Sequence, residues 1–279
     1  MSQIMRLTED DPVDTVIERE VKRRTWWTLY MADHWCSSAL GLPRQISLSL
    51  GEVDLPMDEI LFHSTVVSQH VLDASWKPGL WAHMITLVEL FGLIQDFHRR
   101  IVRNVLNEDQ IVQKVQELSQ RLDSWQEQLP ADVKLSDSNL QKYQERKMGG
   151  PFIALHLGYH HYSTLLYFQF LDPQYPLTAA TQLYRSCCKY HASSYSSLVT
   201  MSRQRHGCEV VYPTVGHMLL VSSSVLLHSL LFGDEDELPV ARNKLKTNFQ
   251  ALLELQTYWP SLDSTVRDKT TPKNGVFKH

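Results

Sequence analysis

Apolar residues recur along most of this chain at spacings of three and four, the period that stacks side chains on one face of a helix. The first run follows a polar stretch ending at Pro12. It comprises Val13, Ile17, Val21, Trp27 or Thr28, Met31 and Trp35, with Glu18, Arg19, Glu20, Lys22, Arg23 and Arg24 between them. This pattern predicts a long amphipathic helix, stopped at Gly41-Leu42-Pro43 by a C-cap glycine and a proline. Residues 44–60 read as an extended loop, because Leu55 precedes Pro56 and is pushed away from helical geometry.

A second helix is expected over 82–105, with its stripe at Leu87, Leu90, Ile94, Phe97, Ile101 and Val105. Asn107-Glu108-Asp109 then offers an N-cap. The cleanest pattern of the chain follows: Ile111, Val115, Leu118, Leu122, Trp125 and Leu129, closed by Pro130. Residues 131–150 read as a polar loop. Pro151 stands where a helix can begin and opens one to about 171. Further helices are expected from 176 or 177 to 205, over 212–232, and over 240–258. The last of these carries Leu245, Phe249, Leu252, Leu255 and Trp259 on one side. No segment sustains the alternation of a strand, and no repeat of 20–50 residues is visible. The fold expected is all-α: one domain of seven to nine antiparallel-packed helices over 1–260, and a polar tail over 261–279.

Charge sharpens two of these helices. Residues 148–171 and 210–233 contain no Asp, Glu, Lys or Arg. The second stretch is long enough to span a bilayer, but Pro213, His217, Ser222, Ser223, Ser224, His228 and Ser229 interrupt it. His156, His160, His161 and Gln169 interrupt the first. Helices apolar all round are also what the centre of a large helical domain requires, and that is the reading taken; no membrane is expected.

Across its 279 residues the chain has a formal net charge of −4. A protein that neutralises phosphates is normally basic, so direct contact with nucleic acid is not expected. The four cysteines, Cys36, Cys187, Cys188 and Cys208, form no C-x-x-C pair. The N-terminus carries no signal-peptide pattern, and a reducing compartment, cytosol or nucleus, is expected.

Candidate chemistry is sparse. There is no H-E-x-x-H, G-x-S-x-G, P-loop or G-x-G-x-x-G. His156 and His160 lie four apart and share a helix face, but no carboxylate stands at a supporting offset, so they read as packed core histidines. Neither Cys187 nor Cys208 sits in a nucleophile context. Glu18, Glu20, Lys22, Arg23 and Arg24 read as a solvated face with local ion pairs. The aromatics Trp26, Trp27, Trp35, Trp76, Trp81, Trp125 and Trp259 read as core and helix-interface packing. No catalytic, cofactor-binding or metal-ligating residue is nominated, and no enzyme activity is expected.

The order of the motifs is more specific than any of them alone. Glu20-x-x-Arg23-Arg24-x-Trp26-Trp27-x-Leu29-Tyr30-x-x-Asp33 is followed by Gly41-Leu42-Pro43 and Asp54-Leu55-Pro56. Leu122-x-x-Trp125 with Leu129-Pro130 comes next. Leu155-His156-Leu157-x-Tyr159-His160 and Leu252-x-x-Leu255-x-x-Tyr258-Trp259-Pro260 complete the series. This succession resembles the fungal transcription-factor regulatory domain, the middle homology region of zinc-cluster activators. The resemblance implies a nuclear regulator of transcription that acts by interaction, with a protein partner or a second copy, and a small-molecule effector as a further candidate. It also implies two departures. The six-cysteine zinc cluster of the family is not among these residues, so DNA reading is not carried over. The helices that precede the Arg-Arg-Trp helix in the family are represented at most by residues 5–11.

Two other readings stay open. A small-molecule-binding protein or enzyme recruited from this fold would gather His156, His160, His161 or Tyr159 around a buried carboxylate. A membrane-associated protein would use 210–233. The regulatory reading predicts uncovered apolar surface beside the first helix, and with it self-association, a partner or low solubility. A monomer that survives dilution and binds no hydrophobic dye would contradict that expectation.

Overall fold

The computed structural model describes residues 7–8, 11–46, 53–68 and 77–260. The expected tail over 261–279, Trp76 and most of residues 5–11 lie outside them. The described residues form nine α-helices and two short 3-10 turns, with one isolated antiparallel bridge between Met57 and Pro78. The helices are α1 (Val16–Leu40), α2 (Glu59–Ser68), α3 (Leu80–Val102), α4 (Glu108–Gln128) and α5 (Asp137–Glu145). They continue with α6 (Gly149–Phe168), α7 (Ala179–Gln204), α8 (Pro213–Phe232) and α9 (Leu238–Tyr258). The all-α expectation is met.

The architecture follows from α6. Its sequence carries no charge and offers no polar face to water, and sixteen named residues along it are buried, from Gly149 to Tyr167. A helix apolar all round must be surrounded. Accordingly α3, α4, α5, α7 and α8 all pack on α6, most extensively α7, while α9 closes over α7 and α8. The core around α6 includes Phe91, Ile94 and Phe97 from α3, Val115, Leu118 and Leu122 from α4, and Tyr195, Leu198 and Val199 from α7. A smaller core joins α1 to α3 through Trp26, Trp27, Tyr30, Met31, Ile85 and Val88. The two meet at Trp35, whose indole N–H donates to the Tyr162 hydroxyl at 2.9 Å, while Tyr162 stacks on Phe91 at 4.5 Å.

The Leu-x-x-Trp landmark is another joint. Trp125 stacks on Tyr159 of α6 at 5.9 Å, and its N–H donates to Thr86 of α3 at 2.9 Å. One aromatic thereby locks three helices.

Several boundaries differ from expectation. Val13 stands before α1, which begins after Thr15 closes a capping box with Glu18. The buried stripe of α1 runs through Glu20, Trp27, Tyr30, Met31 and His34, and leaves Val21 exposed. Helix α3 stops at Val102 because Asn104 turns left-handed (φ 53°), so Val105 is outside it and exposed. Residues 131–150 are not one loop: Ser136 caps α5, which buries Leu140 and Tyr143 on α6. Helix α2 was not foreseen. On α9, Phe249 faces outward, and the inward face runs through Ala241, Asn248, Leu252 and Leu255.

Helices α3 and α8 are long and apolar enough to cross a membrane by length and composition, with 50% and 44% of the most apolar window buried in the fold. Residues 148–171 are not among such spans, because imidazole and hydroxyl groups dilute them.

The link between the two cores yields a prediction. Tyr162→Phe leaves the Trp35 indole N–H without its acceptor, and should lower the unfolding free energy by about 1–3 kcal/mol. Urea denaturation checks this, with the midpoint falling and the slope unchanged.

Candidate interaction site

The Arg-Arg-Trp motif lies on the second and third turns of α1, and what it grips is the chain that follows the helix. Glu20 is fully buried (0% exposed). One of its carboxylate oxygens accepts from Arg23 Nη1 at 2.7 Å; the other accepts from Arg24 Nε at 2.9 Å and from the Met57 backbone N–H at 2.9 Å. Arg24 also donates to the Met57 carbonyl at 2.6 Å, and its guanidinium lies 4.5 Å from the ring centre of Phe62 on α2. Trp27 donates its indole N–H to the Asp54 carbonyl at 2.8 Å. Farther along α1, Asp33 accepts from the Gln45 and Ile46 N–H groups at 2.9 and 3.0 Å.

The expectation of a solvated charged face is therefore corrected for Glu20, Arg23 and Arg24. A buried carboxylate is costly unless paired and hydrogen-bonded, and here three donors surround it. Two come from residues three and four positions on. The third comes from Met57, which no local pattern reveals. The guanidinium groups lie against carboxylate and aromatic partners while Trp26 and Trp27 enter the core.

The clasp extends into α3. Gly79 is the N-cap of that helix and has no side chain to cap it. Glu59, the first residue of α2, takes that place: its two oxygens accept from the Leu80 and Trp81 N–H groups at 3.0 and 2.9 Å. A carboxylate at a helix N-terminus is also favoured by the helix dipole. A Cβ on Gly79 would fall 2.2 Å from Glu59 Oε2 and 2.9 Å from the Asp58 Cα, so glycine is required by that close approach. Sequence reasoning missed Glu59 and Phe62; the only available signal was an acid three residues after Pro56.

With its inner side so committed, α1 presents Val21, Thr25, Thr28 and Leu29 outward. These residues, Arg24 and Phe62 line an open groove of about 300 Å³ between α1 and α2. Val21, Leu29 and Phe62 give that groove its apolar lining.

The histidines of α6 are spread among separate buried contacts. His156 Nε2 pairs with the Val133 carbonyl at 3.1 Å. His160 Nδ1 meets Nδ1 of His191 on α7 at 2.9 Å, a pairing no sequence spacing could indicate. His161 faces Tyr195 and His217. Tyr159 stacks on Trp125. Among the described residues, the bonds of His156 and His160 run to a backbone carbonyl and to another imidazole rather than to a carboxylate. Among the described residues no group of three or more His, Cys, Asp or Glu is placed to hold a metal ion. The four cysteines are free. Burial pushes His98 and His156 down to about 4 and His161 to about 3. Burial also depresses the His160–His191 pair, where one ring must donate and the other accept, so a proton on the accepting Nδ1 would set two N–H groups face to face.

The chain resembles known proteins along most of its length. Residues 1–127 match the fungal specific transcription factor domain. The Zn(2)-C6 fungal-type transcription factor FTF1c of Fusarium oxysporum f. sp. lycopersici is 20% identical over 283 residues, covering 94% of this chain and 30% of that protein. FTF2 of the same organism is 21% identical over 87% of this chain and 25% of its own length. An uncharacterized transcriptional regulatory protein of Schizosaccharomyces pombe is 26% identical over 55% of this chain and 17% of its own length. The chain thus spans less than a third of each of these relatives. No solved structure matches it.

Two predictions follow from the geometry. Glu20→Ala leaves Arg23, Arg24 and the Met57 N–H facing an uncharged void, and should cost about 2–4 kcal/mol of stability, since breaking a buried pair strands its partners; thermal or urea unfolding measures it. The depressed histidines remain neutral in the fold and protonate near pH 6.5 when unfolded. The unfolded state therefore binds more protons between about pH 6.5 and the folded values. Stability should be flat above pH 7 and fall as pH drops through that window, by about 1.4 kcal/mol per pH unit for each such histidine. Urea midpoints at pH 7, 6 and 5 test the sign.

Proposed function

We propose that this chain, whose residues 1–127 match the fungal specific transcription factor domain, is a regulator of transcription of the fungal zinc-cluster type that acts in the nucleus through protein contact. One observation carries the reading: the residues that make the resemblance, Glu20, Arg23, Arg24, Trp27 and Asp33, are those that bind the segment after α1 and hold it in place. The motif is a scaffold, and it leaves the opposite face of α1 free to meet a partner.

The groove on that face suits a protein helix with an apolar side. Its walls are Val21, Leu29 and Phe62 with two threonines, and its one cation, Arg24, is already held by Glu20, the Met57 carbonyl and the Phe62 ring. Helix-in-groove recognition reads apolar anchors at helical spacing. A nucleic-acid contact would require free cations, which this groove does not offer. Contact with DNA is assigned to none of these residues.

The expected outcome has two parts. Removing the chain from its host changes the abundance of a defined set of transcripts. Val21→Glu and Leu29→Glu, both at exposed positions, leave the helical circular-dichroism spectrum intact and weaken partner-dependent reporter output about tenfold, the scale of losing one apolar anchor. An unchanged transcriptome on removal would contradict the regulatory reading. Full output from both glutamate variants would contradict the groove as the contact surface.

A further inference from the structure

A second concavity lies between α7, α8, α9 and the 209–211 segment. Its volume is about 310 Å³ and its floor is Leu157, Val199, Val215, Leu219, Ala251 and Leu255. All six are buried residues. That size is at the low end of the ~300–1,000 Å³ typical of small-molecule sites. It equals the space of about ten water molecules at ~30 Å³ each.

The floor offers water no hydrogen-bond partner, because it is made of aliphatic side chains. Two hydroxyls on the wall are used up: Ser202 Oγ donates to the Cys208 carbonyl at 2.7 Å and accepts from the Val210 N–H at 3.1 Å, and Thr257 Oγ1 donates to the Glu254 carbonyl at 2.6 Å. The Ser202 bonds hold the 208–211 segment as one side of the cavity. Trp259 secures the same segment from outside, its indole N–H donating to the Val211 carbonyl at 2.6 Å.

The remaining polarity comes from Tyr258 and from the charged residues at the mouth. Arg203 and Glu254 face each other across it in a two-pronged ion pair, with Nε donating to one carboxylate oxygen at 2.8 Å and Nη2 to the other. This pair occupies two of the five N–H donors of a guanidinium, and a carboxylate keeps spare lone pairs beyond the two bonds it accepts. Glu209 adds a second carboxylate to the rim. A ligand anion would lie against two carboxylates. A ligand cation would find Glu254 already neutralised by Arg203. A hydroxyl meets neither objection, since it can accept from a spare guanidinium N–H and donate to a Glu254 oxygen.

We infer that this cavity binds a small, uncharged, largely aliphatic molecule bearing a single hydroxyl, with its chain on the Leu219–Ala251 floor and its hydroxyl between Arg203 and Glu254. The inference goes beyond the regulatory reading and stands on binding to the isolated chain, so a failed reporter assay leaves it intact and its own failure leaves the reporter result intact.

The test uses the whole chain and three probes that share one tail: octan-1-ol, octanoate and octylamine, titrated calorimetrically at pH 7. Octan-1-ol should bind saturably at one site, with octanoate and octylamine at least about tenfold weaker. Val215→Phe and Ala251→Leu fill the floor and should abolish the octanol heat. Glu254→Gln changes only an exposed position at the mouth and keeps the fold; it should shift preference toward octanoate about fivefold or more, because the carboxylate that repels the anion is gone. Absence of saturable octanol binding would overturn the assignment. So would equal binding to a folded floor-filled variant, or octanoate binding the unaltered chain as tightly as the alcohol.

Discussion

A carboxylate with no access to water must find its hydrogen bonds inside the protein, and Glu20 finds them in two arginines of its own helix and one backbone amide thirty-seven residues on. That requirement organises the first third of the molecule. Arg24 cannot serve Glu20 without also reaching the Met57 carbonyl and the Phe62 ring, and Trp27 cannot enter the small core without handing its N–H to Asp54. The segment from Asp54 to Met57 is extended because Pro56 forbids a helix there, and an extended strand with free amides is what buried side-chain acceptors can hold. Once Met57 is fixed, α2 starts beside it, and Glu59 is delivered to the N-terminus of α3. One buried charge thereby sets the placement of three helices.

The second constraint is the uncharged helix α6. It gathers five helices around itself, and the clasp connects to that assembly through Trp35 and Tyr162. A domain built this way commits the inner side of α1 to its own fold and leaves Val21, Thr25, Thr28 and Leu29 exposed on the outer side.

Much of this was legible from sequence because long amphipathic or uncharged helices announce themselves over twenty residues. Helices α4, α6, α8 and α9 lie close to where periodicity and proline placed them. Helices α2 and α5 did not announce themselves. The sequence of α2 mixes apolar and polar residues on every side and spans ten residues, too few for a period to emerge. That of α5 has two buried apolar residues, and its third buried contact is Asn139, which donates to the Ala131 and Lys134 carbonyls. The clasp was half legible: the Arg-Arg-Trp motif stood out, but Glu20 looked solvated because its third donor is remote in sequence. The His160–His191 pair and the buried seam of Ser196, Ser222 and Asn248 were invisible for the same reason. Local spacing reports local geometry, and these contacts join helices separated by dozens of residues.

The central claim is that Glu20 holds the Met57 amide as firmly as a helix holds its own. Amide hydrogen exchange at Met57 measures this directly. The account predicts that this amide, though it lies in an extended loop, exchanges as slowly as the buried amides of α1 around Trp27 and Tyr30, and that Glu20→Gln speeds Met57 more than it speeds them. Exchange at Met57 within seconds, at the rate of an open loop, would contradict it.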